Sequence, residues 1–185
     1  DPPDMLTIQN MGDWHNGALS DPGGLLGYPT AALNSSYAAT YYPWLKVFDG
    51  WSNQDMWLPP SGHVAQVIAY SDYVADPWGA PAGLNRARLV DVLETRNPYI
   101  NQGDNEYLYG GGNSVNPIIN KAGLRVVIWG QRTLQRAPTA LDRINVRRML
   151  LYLRKIVATS TLYLVDEPDD RVTWARFRML VEPIL

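Results

Sequence analysis

The chain contains no cysteine. That excludes a disulfide framework, a thiolate metal site and a cysteine nucleophile. It is compatible with assembly in a reducing cytoplasm. Histidine is scarce, with only His15 and His63. No run of about 18 apolar residues occurs, so no membrane span is expected. No signal-peptide pattern opens the chain. Residue 1 is Asp rather than Met, so the chain is expected to be processed or cut from something longer. What is present is 185 residues, with 7 Trp and 11 Tyr. That is room for one sizeable core or two small ones. So many large aromatics suit packed or interface surfaces.

Net charge is −2, but its distribution is uneven. Residues 1–60 hold Lys46 against six Asp, whereas residues 121–160 hold nine Lys/Arg against Asp142. A basic segment of this kind can bind nucleic acid. Alternatively, acidic and basic faces of one chain can pair head to tail with further copies. The second reading is favoured, because no basic tail, RNP-type aromatic motif or zinc knuckle accompanies the basic stretch.

Residues 142–157 read as one amphipathic helix. At 100° per residue, Val146, Met149, Leu150, Leu153, Ile156 and Val157 share one arc. Arg143, Arg147, Arg148, Arg154 and Lys155 share the opposite arc. Six buried apolar side chains, at roughly 1.5–3 kcal/mol each, would anchor a domain. The basic arc is then left for solvent or a partner. Thr139, with Asp142 three residues on, is a plausible start signal.

Elsewhere the patterning is more local. Residues 5–8 are a candidate strand, and Asp21-Pro22-Gly23-Gly24 is a turn signal. His15 reads as a loop residue. Residues 35–42 are small and helix-tolerant, and 44–47 alternate like a strand. Pro43 marks the junction. Ser61 is a candidate N-cap for a helix with Val64, Val67, Ile68 and Ser71 on one face. Residues 76–83 form a Pro/Gly loop. Residues 89–93 are a candidate strand, followed by a polar loop to 109 and a Gly break at 110–112. Residues 124–130 are the strongest strand, with four consecutive apolar residues that suggest burial on both faces. Residues 161–165 read as a strand and 166–170 as a turn. Asp169 or Asp170 then caps a helix from about Val172, with Trp174, Phe177, Leu180 and Val181 on one side.

Several blocks resemble contractile tail sheath proteins. They are Ser35-Ser36-Tyr37-Ala38-Ala39 with Tyr41-Tyr42-Pro43-Trp44, then Pro59-Pro60-Ser61-Gly62-His63-Val64-Ala65. Next come Trp78 with Ala80-Pro81-Ala82, Asn116-Pro117-Ile118 and Trp129-Gly130-Gln131-Arg132-Thr133-Leu134. Asp142-Arg143-Ile144-Asn145-Val146-Arg147-Arg148 and Glu167-Pro168-Asp169-Asp170 complete the order. At 114–115 this chain has Ser-Val where the family has Gly-Ile. The resemblance covers about residues 35–185.

The resemblance implies an α/β fold, a mixed β-sheet with helices on its faces, in a subtilisin-like sheath core. Residues 1–137 would form that domain, with 1–34 an irregular lead-in. Residues 138–185 would begin the sheath C-terminal domain, with both terminal arms missing. The implied role is structural. Subunits stack as hexameric rings around a tail tube and contract to drive it through the target envelope. Implied partners are further copies, the tail tube protein, and the baseplate and tail terminator proteins. No cofactor, direct nucleic-acid contact or membrane insertion is implied. The implied location is the virion, after assembly in the bacterial host cytoplasm. A bacterial contractile injection or secretion system is the alternative, and a hydrolase on the same fold a remote one.

Catalytic and metal readings are weak. Ser61 and His63 on one helix start point apart and cannot pair as a dyad, and no Gly-x-Ser-x-Gly elbow occurs. Residues 166–170 lack the spacing of a calcium loop. Asp104 and Glu106 read as solvated rather than as a glycosidase pair. Gly110-Gly111-Gly112 has no following Lys-Ser/Thr and is not a phosphate loop. No catalytic, metal or cofactor residue is therefore assigned. The candidate inter-subunit surface is the basic arc, against the plainer reading of a solvated Arg face.

Overall fold

The computed structural model describes Ile8, Met11, Asp13 and residues 34–110, 113–121, 123 and 125–184. Strands β1 (Thr40–Tyr42), β2 (Leu45–Asp49) and β3 (Gln54–Leu58) lead into helix α1 (Ser61–Val74). Strand β4 (Val92–Thr95) and helix α2 (Gln102–Tyr109) follow, then strands β5 (Val115–Lys121) and β6 (Arg125–Ile128). Helices α3 (Ile144–Ser160) and α4 (Arg171–Val181) end the chain. The architecture is α/β, split into two three-stranded sheets, β1-β5-β6 and β3-β2-β4.

The first sheet is mixed. β1 runs parallel to β5, with Tyr42 opposite Pro117. β5 runs antiparallel to β6, with Ile118 opposite Ile128. Val126, Val127 and Ile128 are fully buried, as a continuous apolar run on a two-sided sheet requires. One face packs Ile118, Val126 and Ile128 against Val64 and Val67 of α1 and Leu45 and Val92 of the second sheet. The other face packs Tyr42 and Val115 against Leu108 of α2. Helices thus cover both faces.

Asn116 locks this sheet. It is fully buried in the middle strand. Its Nδ2 donates to Thr40 O at 3.1 Å and to Arg132 O at 2.7 Å. Its Oδ1 accepts from Arg132 N at 2.5 Å. One amide therefore ties β1, β5 and the segment after β6. Gly130 permits the approach, because a Cβ there would stand 2.7 Å from Asn116 Oδ1 and 2.9 Å from its Cα. Pro117 lacks an N–H, but its carbonyl accepts from Trp129 N at 2.9 Å as β6 leaves the ladder.

Local chemistry corrects several expectations. Residues 35–42 form a turn and β1, not a helix. Ser61 is the first helical residue of α1 rather than its cap. Pro60 is already helical, and its carbonyl accepts from Val64 N. The strand expected at 89–93 starts at Val92, because Leu89 N is spent on Val126 O beside β6. The polar loop to 109 contains α2, nucleated by a capping box between Asn101 and Asp104. Thr139 caps the 3₁₀ turn Ala140–Asp142 and not α3. Residues 161–165 hold the 3₁₀ turn Leu162–Leu164 instead of a strand. Thr161 Oγ1 donates back to Val157 O at 2.8 Å and prolongs the helix end. Asp170 caps α4, accepting from Thr173 N at 2.7 Å. That bond holds its carboxyl below the usual carboxylate range. Ile8 is helical, and the rest of the strand expected at 5–8 lies outside the described residues. So do His15, the turn at 21–24, and Gly111 and Gly112.

Asn116→Ala strips partners from three part-buried backbone groups, each worth roughly 1–3 kcal/mol. Urea titration is expected to show a loss of about 3 kcal/mol or more. Asn116→Asp keeps the acceptor but loses both donors, so it should not rescue the loss.

Candidate assembly surface

Helix α3 turns the first part of its basic arc toward the body. Ile144, Arg147, Arg148 and Leu151 share one arc, and that arc faces the body across a cleft. An Arg148 guanidinium nitrogen donates to the Asp72 carboxylate of α1. Arg147 donates to Ser36 Oγ and lies 4.1 Å over the Tyr37 ring. Arg143 Nη1 donates to Tyr109 Oη at 2.6 Å. Arg154 and Lys155, further along, are exposed.

The five basic residues therefore divide. Arg143, Arg147 and Arg148 dock α3 onto the body, and Arg154 and Lys155 face solvent. A guanidinium suits inward docking, being weakly hydrated and able to stack on a ring while donating in its plane. Backbone bonds fix the helix start: Thr133 N to Asp142 O at 2.8 Å and Ile144 N to Gln131 O at 2.9 Å. Trp78 adds a ring contact to Tyr152, with centroids 6.1 Å apart.

The apolar arc is only partly covered. Val146, Met149, Leu153, Ile156 and Val157 are half-buried, and Leu150 is exposed. Only Ile144 of α3 is fully buried. The six-residue anchor expected from the sequence is thus incomplete. In α4, only Val181 is buried, while Trp174 and Leu180 are exposed. Trp174 Nε1 donates to Asp169 Oδ1 at 2.6 Å.

Sequence reasoning missed Asn116, Asp72, Tyr37 and Tyr109. An Asn-Pro step heading an apolar run is the one available signal for Asn116, since a buried amide must be bonded. The other three depend on contacts across more than thirty residues of sequence.

His63 Nε2 lies 3.6 Å from Asp91 Oδ2. Ser61 is two residues earlier on α1, about 200° around the axis, so no Ser–His dyad forms. Asp104 serves the α2 cap, and Glu106 accepts from Gln102 Nε2 at 3.1 Å. Among the described residues, no group of three or more His, Cys, Asp or Glu is placed to hold a metal. No helix among them is long and apolar enough to cross a membrane. Tyr41 sits in the cleft wall. Burial, then the nearby Tyr109, raises its phenol well above the usual value against the pull of Arg148.

No protein-family model matches the chain. The tail sheath protein of Vibrio phage KVP40 is 28% identical over 178 residues, 96% of this chain and 26% of that protein. The tail sheath protein of Enterobacteria phage T4 is 28% identical over 182 residues, 95% of this chain and 26% of that protein. In structure, the contracted sheath complex of the PVC extracellular contractile injection system matches at TM-score 0.71. That match is 28% identical and covers 90% of this chain and 44% of the other. The chain is similar to phage tail sheath proteins and to the sheaths of contractile injection systems. It spans about a quarter of the length of the curated sheath proteins it matches. The contracted helical sheath of the anti-feeding prophage aligns at TM-score 0.68 and 26% identity, over 84% of this chain and 41% of that one. The two injection-system sheaths share the fold of this chain.

The Asp72–Arg148 pair is testable by a double-mutant cycle with Asp72→Ala and Arg148→Ala. The pair is partly exposed, with side-chain exposures of 41% and 18%. A coupling of roughly 0.5–1 kcal/mol is expected in thermal melts, shrinking in high salt.

Proposed function

We propose that this chain is part of a sheath subunit that polymerises with its own copies around an inner tube. Contraction of that sheath drives the tube through a target envelope. The supporting observation is agreement of sequence and fold with sheath proteins over nearly the whole chain. The role is structural, and neither Ser61 nor His63 is assigned to catalysis. In this reading the partners are further copies in stacked hexameric rings, the tail tube protein, and the baseplate and tail terminator. The setting is a phage tail, assembled in the host cytoplasm. The matches to injection-system sheaths support a second reading, a bacterial contractile injection machine.

Residues 1–137 form the sheath core domain in this proposal, and residue 138 begins the next one. Arg154 and Lys155 are the exposed cations offered to a neighbouring copy; Arg143 and Arg148 hold α3 in place, and Arg147 does so from the open cleft. Two lattices of one rigid body then differ in which surfaces meet, with a kinetic barrier between them.

Negative-stain microscopy of the protein expressed at full length tests this. Long striated tubes are expected, alone or on added inner-tube protein. Dispersed monomers under both conditions contradict the proposal. Arg154→Glu with Lys155→Glu should leave the melting temperature unchanged and shorten or abolish the tubes.

A further inference from the structure

The β2–β3 hairpin carries a fully exposed tryptophan on an ordered turn. Trp51 is 98% exposed. Its turn is held by Asp49, whose Oδ1 accepts from Trp51 N at 3.0 Å. Asp49 Oδ2 accepts from Ser52 N at 3.2 Å and Ser52 Oγ at 2.7 Å. These bonds hold the Asp49 carboxyl below its usual range, so the tip carries a fixed negative charge beside the indole. Asn53 completes the turn in the left-handed region at φ 54°. The ordered turn removes the backbone part of the ordering cost when the indole docks. Tryptophan is also among the residue types enriched at interface hot spots.

The α1–α3 cleft has matching properties. It measures about 370 Å³ and has walls formed by Ala39, Val64, Ala65, Ile68, Ile144 and Leu151. That lies in the range of roughly 300–1,000 Å³ typical of pockets for small organic groups. Arg147 also lines it. Among the described residues no carboxylate pairs with Arg147, whose contacts are the Ser36 hydroxyl and the Tyr37 ring. Its positive charge is therefore uncompensated beside an apolar slot.

We propose that Trp51 of one copy seats in the α1–α3 cleft of a second copy, with Asp49 facing Arg147. Knob and slot lie on different surfaces of one chain. The contact is thus heterologous and propagates, as a tube requires and a closed two-fold dimer does not. This inference rests on the self-assembly reading above.

The test uses Trp51→Ser, which removes the knob, and Ala65→Trp, which fills the slot from an exposed helix position. Circular dichroism melts establish that both variants of the full-length protein fold. Sedimentation should then show each variant alone self-associating about tenfold or more weakly than wild type. Mixed together, they retain one open slot and one knob, and should give 1:1 pairs that do not extend. Normal tubes from Trp51→Ser overturn this contact and leave the sheath reading standing. Normal tubes from Ala65→Trp overturn the cleft as receptor. A wild-type protein that stays monomeric even with inner-tube protein removes both proposals.

Discussion

Asn116 makes its bonds to Thr40 and Arg132 from the middle of an apolar sheet, and the rest of the body depends on them. A hydrogen bond in a low-dielectric interior is strong when made and costly when lost. An aliphatic residue at 116 would leave three backbone groups unpaired between β1, β5 and the exit of β6. The clamp also fixes the chain downstream. Arg132, held by Asn116, pairs in turn with Arg143, which stands immediately before α3. The position of the basic helix is thus set from inside the first sheet.

From that start, α3 lies on the body through guanidinium groups rather than aliphatic ones. The consequence is a cleft that stays open. A fully apolar interface would close to crystal-like density. Two arginines bonded to Ser36 and Asp72, one of them stacked on Tyr37, hold the helix at a distance. Meanwhile the apolar arc of α3 and much of α4 stay only partly covered. In the proposed assembly, a subunit that exchanges neighbours between two lattices needs surfaces of this kind, together with a core that does not change.

Regular, strongly patterned segments were legible in the sequence. The run at 126–129 marked β6, the face Val64–Val67–Ser71 marked α1, and Asp170 marked the start of α4. Ordered motif blocks gave the sheath resemblance before any coordinates. What was not legible followed from competition. β-formers at 161–165 turned into a 3₁₀ turn because the preceding helix end captured Thr161 and no partner strand stood near among the described residues. The polar stretch before Tyr109 formed a helix because of the Asn101–Asp104 cap, a signal available in the sequence and read instead as solvated charge. Helical periodicity placed the basic residues of α3 on one arc correctly. It could not say that Arg143, Arg147 and Arg148 bond to the body, because that depends on Ser36, Tyr37, Asp72 and Tyr109, distant in sequence.

In the proposed assembly the body stays rigid while its surfaces change partners. Hydrogen exchange of the free protein against assembled tubes tests it most directly, since it reports opening segment by segment. The account predicts equal protection of the β5 and β6 amides in both states. Protection should be gained at the β2–β3 hairpin and along α1 and α3. A large change within β5 and β6 on assembly would contradict it, because the sheet clamped by Asn116 would then be remodelled rather than carried intact.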